Sequence, residues 1–203
     1  MDIGLTGGIA TGKSTVSRML RERGGGIVDA DQIAREVVEP GTEGNARIWT
    51  RFGPGVFGPG RHLDRRALRE VVFRDERARK DLNRILHPLI IRRMKEEASR
   101  IGETCGRIAV LDTPLLIEEG LTDLVEQVVV VYAPEAIQIQ RLMERDGIDA
   151  SQALRMIRAQ MPIEEKKRFA DVLIDNSGTL ADTERQVDML WETWVSKNGS
   201  GQS

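Results

Sequence analysis

The chain has almost no cysteine, almost no net charge and no long apolar run, and each shortage removes a class of protein. A single cysteine, Cys105, excludes an internal disulfide framework and a cysteine metal cluster. With 30 Lys and Arg against 32 Asp and Glu the net charge is −2, so the molecule lacks the basic surplus of a polyanion binder. No apolar stretch has the length that a membrane crossing needs, and the first residues lack the basic start and apolar run of a secretory signal. Internal repeats and low-complexity tracts are also missing. These absences lead us to expect a soluble, cytoplasmic protein, with no nucleic acid, membrane or obligate protein partner. What is present is 203 residues with 40% apolar and 31% charged side chains, enough for one sizeable core and a small insertion.

The strongest local signal is Gly7-Gly8-Ile9-Ala10-Thr11-Gly12-Lys13-Ser14. It fits the phosphate-binding pattern of Gly, four residues, then Gly-Lys-Ser/Thr. Ile3-Gly4-Leu5-Thr6 before it reads as a buried strand, and Val16, Met19 and Leu20 after it share one helical face. Strand, glycine loop and helix are the setting that the motif requires. The glycines let backbone N–H groups turn inward around an anion at a helix N-terminus. Lys13 then reaches the β- and γ-phosphates, and the Ser14 hydroxyl is offered to Mg²⁺.

Glycines 24–26 end the first helix, and Ile27-Val28-Asp29-Ala30-Asp31 follows as a second strand with two carboxylates at its end. In a parallel sheet, ligands gather at the carboxyl ends of strands, which places Asp29 or Asp31 near the phosphate loop and makes Asp31 a candidate base. Asp also suits a helix cap, and the local residues leave base and cap equally open. A helix over 32–38 and another over 42–52 come next, then a turn-rich stretch at Gly53-Pro54-Gly55 and Gly58-Pro59-Gly60, expected to be a hinge or hairpin rather than core. Residues 61–100 are helical and hold 13 Lys and Arg against 7 Asp and Glu, most of them solvated surface. His87-Pro88 interrupts that helical pattern, and the lone histidine reads as structural. Residues 107–112 form a third strand ending in Asp112, where phosphate-loop proteins place a residue that helps to hold Mg²⁺. Four consecutive valines at 128–131 mark a buried fourth strand, and Pro134 opens a helix carrying Arg141 and Arg145 on one face. Residues 146–169 read as short helices forming a mobile cover, 170–175 as the last strand, and 179–196 as a helix burying Val187, Leu190, Trp191 and Trp194. The last residues, 199–203, are expected to be a flexible tail.

The order of Leu-Thr-Gly-Gly-Ile-Ala-Thr-Gly-Lys-Ser-Thr and Asp29-Ala30-Asp31-Gln32-Ile33-Ala34-Arg35 resembles the dephospho-CoA kinase family. Val37-Val38-Glu39-Pro40-Gly41, Arg65-Arg66-Ala67-Leu68-Arg69, Leu86-His87-Pro88-Leu89-Ile90, Pro114-Leu115-Leu116-Ile117-Glu118 and Ile174-Asp175-Asn176 extend the likeness from residue 3 to about 178. The resemblance implies an α/β fold of the P-loop NTPase type, with a five-stranded parallel sheet flanked by helices. It also implies an inserted helical acceptor domain over 32–104, a lid over 146–169, and a nucleotide-binding core from 1–31, 105–145 and 170–198. The implied reaction uses ATP and Mg²⁺ to phosphorylate the ribose 3′-hydroxyl of dephospho-CoA, the last step of coenzyme A synthesis. Carried over by position, Asp31 is the base, with Lys13 and Arg141 as catalytic cations. Gly8, Ile9, Ala10, Thr11, Gly12, Lys13, Ser14, Thr15, Asn176 and Gly178 serve ATP, and Ser14 and Asp112 serve the metal. Thr6, Asp31, Arg66, Arg69, His87, Leu115 and Glu118 serve the acceptor. A kinase for another small metabolite would share the loop and lid. A regulatory GTPase would carry an Asn-Lys-x-Asp stretch, and none is present. Asp175-Asn176-Ser177-Gly178 does match Asp-x-x-Gly, but it follows the last strand, far from the place of a γ-phosphate sensor.

Overall fold

Valine sets the centre of the fold. Residues 128–131 are four successive valines, each at most 6% exposed, so both faces of their strand are covered. Continuous burial of this kind belongs to a parallel sheet with helices on both sides. The computed structural model describes residues 1–105 and 108–200. The sheet holds five strands: β1 (Asp2–Gly7), β2 (Gly26–Asp29), β3 (Ala109–Asp112), β4 (Gln127–Tyr132) and β5 (Val172–Asp175), in the order β2-β3-β1-β4-β5. The expected start of the third strand at Arg107, and residues 201–203 of the tail, lie outside the described residues.

Register places the functional ends together. β1 runs parallel to β3 with Leu5 opposite Asp112, and parallel to β4 with Gly7 opposite Val131. The loop that follows Gly7 therefore leaves the sheet beside Asp112. One face of the sheet is covered by α1 (Lys13–Glu22) and α9 (Leu180–Ser200), which bury Val16, Met19, Leu20, Val187, Leu190 and Trp194 against Ile3, Leu5, Val129 and Ile174. Trp194 is fully buried and its indole N–H donates to Gln127 Oε1 at 2.6 Å. α6 (Glu135–Asp146), α7 (Ala150–Arg158) and α8 (Ile163–Lys166) fill the stretch between β4 and β5. Gly26, in the triple glycine, is required by packing, because a Cβ there would sit 2.3 Å from Ile101 Cγ2.

The chain divides into two compact units, Met1–Val28 with Ala98–Ser203, and Asp29–Glu97. The second begins three residues before, and ends seven residues before, the insert read over 32–104. It holds α2 (Ala30–Glu36), α3 (Glu43–Phe52), α4 (Arg65–Arg74) and most of α5 (Glu76–Cys105). Its core is Val38, Ile48, Val56 and Leu68. Phe57 and Leu63 pair in an antiparallel bridge, as a hairpin would, but Val56 is 2% exposed, so this turn-rich stretch contributes to the core of the unit, contrary to the expectation that it lies outside it. A second correction concerns His87-Pro88, which lie inside one continuous helix. Leu82, Ile85, Leu86 and the buried Leu89 hold both sides of the proline in place, and that packing offsets the lost backbone hydrogen bond. No helix among the described residues is long and apolar enough to cross a membrane.

Candidate active site

The loop between β1 and α1 is shaped as an anion cradle. Gly12 caps α1 with a left-handed backbone, φ 92° and ψ 21°, and a Cβ on it would fall 1.9 Å from Asn176 Nδ2. Only glycine satisfies both conditions. Ala10 is also left-handed at φ 59°. The Thr11 N–H and hydroxyl both return to the Gly8 carbonyl, at 3.2 and 2.9 Å, tightening the turn. α1 starts with no side-chain cap and no acidic residue in its first turn. Its N-terminal N–H groups and the positive end of its dipole are thus left for an external anion.

Lys13 and Asp112 meet across the loop. The ammonium is hydrogen-bonded to Asp112 Oδ1, with the two side chains 20% and 10% exposed. Ser14 is exposed in the first turn of α1. A hydroxyl at the loop's end and a carboxylate at the tip of β3 are hard oxygen donors suited to Mg²⁺. No group of three or more acidic, His or Cys side chains gathers as a metal site among the described residues.

Several residues brace the cradle. Asn176 Nδ2 donates to the Thr11 carbonyl at 2.7 Å, and Asn176 Oδ1 accepts the Thr183 hydroxyl at 2.7 Å. The Asn176 N–H donates to Tyr132 O, and its carbonyl accepts from Arg141 Nη2 at 2.7 Å. All four polar groups of Asn176 take part in this brace, which fixes the turn after β5 against the loop. Gly178 lies exposed in the same turn. Arg141, on α6, also donates to the Ala10 and Thr11 carbonyls, both at 3.3 Å. It is a clamp on the loop that keeps a fixed positive charge beside it. Gln138, 1% exposed, stands behind Gly8 and donates to the Ala133 carbonyl at 2.8 Å. Thr15 continues α1 through its N–H to the Gly12 carbonyl.

The stretch after α6 closes on the loop. Leu142, Ala153 and Ile157 form a small core with Ile9 and Ala10 packed against it. Gln160 Oε1 accepts the Ile9 N–H at 2.9 Å. Lys166, fully buried, pairs with Glu118 at 2.8 Å and donates to the Pro114 carbonyl at 2.5 Å. The Met161 N–H donates to Glu118, and Tyr132, above whose ring Lys167 sits, donates its hydroxyl to Glu164 at 2.7 Å. That last bond raises the Tyr132 pKa, since the phenol donates to a carboxylate only while protonated. Glu118 and Thr6, both expected on the acceptor, make bonds within the protein here. Glu118 neutralises a buried cation, and the fully buried Thr6 hydroxyl donates to the Pro114 carbonyl at 3.1 Å. Leu115, between them, is exposed. Gln138, Gln160 and Lys166 were not singled out as site residues from the sequence; in it Lys166 is one of three consecutive basic residues that look solvated.

In the second unit the two aspartates separate. Asp29 is the N-cap of α2, accepting the Gln32 N–H at 3.0 Å. Asp31 lies within the first turn and is exposed, so the capping alternative belongs to Asp29. Arg66 and Arg69 are exposed near the start of α4, which Asp64 caps, and His87 lies within α5.

The profile of the dephospho-CoA kinase family matches residues 1–182. The chain belongs to the dephospho-CoA kinase family. The dephospho-CoA kinase of Bacillus licheniformis is 48% identical over 195 residues, covering 95% of this chain and 96% of its own. Among solved structures, the dephospho-CoA kinase of Campylobacter jejuni is 27% identical with a TM-score of 0.75, covering 97% of this chain and 98% of its own. A Thermus thermophilus crystal structure is 35% identical with a TM-score of 0.80, covering 95% of this chain and 97% of its own. Family membership makes the braced loop a candidate phosphate site.

Proposed function

We propose that this chain transfers the γ-phosphate of ATP to the ribose 3′-hydroxyl of dephospho-CoA, giving coenzyme A in a cytoplasmic setting. The observation that carries the reading is the uncapped, acid-free N-terminus of α1 behind a braced glycine loop, in a chain of this family. The loop N–H groups and Lys13 bind and orient the phosphates, with Arg141 holding the loop in shape. Bound Mg²⁺ would neutralise charge on the phosphate oxygens, and the Ser14 hydroxyl and Asp112 are the groups that would hold it. Asp31, exposed and not needed as a cap, accepts the proton of the acceptor hydroxyl as its oxygen attacks phosphorus, and ADP departs with the electrons of the broken bond. Arg66 and Arg69 grip the acceptor's diphosphate through paired N–H donors. His87 and Leu115 are further acceptor contacts in this reading. Residues 146–169 act as the lid and keep water, the competing acceptor, from the γ-phosphate.

A coupled assay with ATP and a panel of dephospho-CoA, shikimate and nucleosides tests it. Dephospho-CoA is expected to be the acceptor turned over best. Preference for another alcohol would leave a kinase with a different acceptor.

A further inference from the structure

Gln160 meets the phosphate loop from 151 positions along the chain, with Oε1 accepting the Ile9 N–H at 2.9 Å. Chemistry fixes which end of the amide faces the loop. An N–H donor pairs only with the carbonyl oxygen, so the NH₂ end of Gln160 is directed elsewhere. Among the described residues that NH₂ has no acceptor, whereas Lys13, Thr11, Arg141 and Asn176 all have partners. The segment that carries Gln160 is fixed on its C-terminal side by the Met161 N–H on Glu118 and by the buried Lys166–Glu118 pair. Ile157, one turn before Gln160, is packed in the small core that includes Ile9 and Ala10. An amide held this way is a donor whose orientation is set before any ligand arrives.

We propose that Gln160 is a further catalytic residue, donating from Nε2 to an oxygen of the terminal phosphate of a nucleoside triphosphate. This rests on the phosphate-donor reading above. The terminal phosphate is the match because the loop N–H groups nearest α1 cradle the inner phosphates. Ile9, four residues before Lys13, lies at the opposite edge of the loop. The amide is neutral, so it places the phosphoryl group without adding charge, and its grip on the Ile9 N–H ties the cover to the loop.

The test is calorimetric titration of the full chain with Mg²⁺-ATP and with Mg²⁺-ADP, alongside the melting temperature. Gln160→Met keeps the length of the side chain and removes its donors. ATP is expected to bind about 10- to 100-fold more weakly, the range for a lost hydrogen bond to a charged group, while ADP affinity stays within about twofold. Gln160→Glu keeps an oxygen for the Ile9 N–H but has no donor, so it should show the same ATP-selective loss with an unchanged melting temperature. Equal weakening of ATP and ADP would assign Gln160 to the attachment of the cover alone and overturn the proposal, as would wild-type ATP affinity in either variant. A wild-type protein that binds neither nucleotide overturns the kinase reading itself, and this proposal with it.

Discussion

Asp29 and Asp31 carry the same carboxylate, and the start of a helix separates what each does. Asp29 has an extended backbone and accepts the Gln32 N–H, so Asp29→Ala is expected to lower stability by about 1 kcal/mol. Asp31→Asn should leave the melting temperature unchanged and lower kcat by roughly 10²–10⁴-fold, the usual contribution of a general base. Full activity in a folded Asp31→Asn variant would overturn the base assignment. Lys13→Ala should abolish transfer and also lower stability, because it strips Asp112, at 10% exposure, of its cation. Adding Asp112→Asn to Lys13→Ala should restore much of the stability and none of the turnover, a combination that thermal denaturation and the coupled assay check together. At this scale the sequence was most legible where spacing is local, as in Gly7 to Ser14. Gln160 and Lys166 were illegible because their partners lie 151 and 48 positions away, and no short pattern records such a contact. The helix cap, weighed at Asp31 but found at Asp29, was misplaced for a different reason. β2 passes directly into α2 with no intervening loop, so the residue that closes the strand is also the cap.

At the scale of elements, strong periodicity was readable and packing overrides were not. The valine run, the Thr42-capped α3 and the tryptophan face of α9 follow from side-chain pattern alone. Pro88 is the opposite case, where local preference says stop and tertiary contacts carry the helix on. Because Pro88 is exposed and stands in a helix interior, Pro88→Ala is expected to raise stability by about 2 kcal/mol. A higher urea midpoint at unchanged slope would show it, and a lower midpoint would mean that the proline has a packing role. Helix ends give a pH dependence. Asp149 accepts the Gln152 N–H in a capping box, and that bond, followed by the Ser151 hydroxyl, holds its carboxyl below the ordinary value. Asp182 and Thr179 bond reciprocally at the start of α9, and the Thr179 hydroxyl is the main cause of a like depression. A depressed carboxylate contributes stability above its unfolded pKa and loses it as pH falls through the folded value. Both helix starts should therefore loosen below about pH 4. Asp149→Asn, which still caps, should flatten that dependence at α7 when amide exchange is followed against pH.

The proposed site residues fall in two compact units, and ligand protection tests whether the units divide the two substrates between them. Lys13, Ser14, Asp112, Arg141 and Gln160 all belong to the unit formed by Met1–Val28 and Ala98–Ser203. Asp31, Arg66, Arg69 and His87 all belong to Asp29–Glu97. A ligand stabilises the state it binds by RT ln(1 + [L]/Kd), about 2.7 kcal/mol at a hundredfold excess over Kd. Amides that open only when their own unit opens slow by that amount, whereas those that exchange through local fraying do not respond. Mg²⁺-ATP alone is therefore expected to slow exchange in β1, α1, β3 and the 146–169 cover, and to leave the slow amides of α3 and α5 before Glu97 nearly unchanged. Dephospho-CoA alone should do the reverse, with protection centred on α2, α4 and α5. The measurement is hydrogen exchange read by mass spectrometry on the full chain under each ligand separately. Protection by dephospho-CoA confined to the loop-bearing unit would remove Arg66 and Arg69 from the acceptor site, because two arginines that grip a diphosphate must share in the stabilisation that it brings.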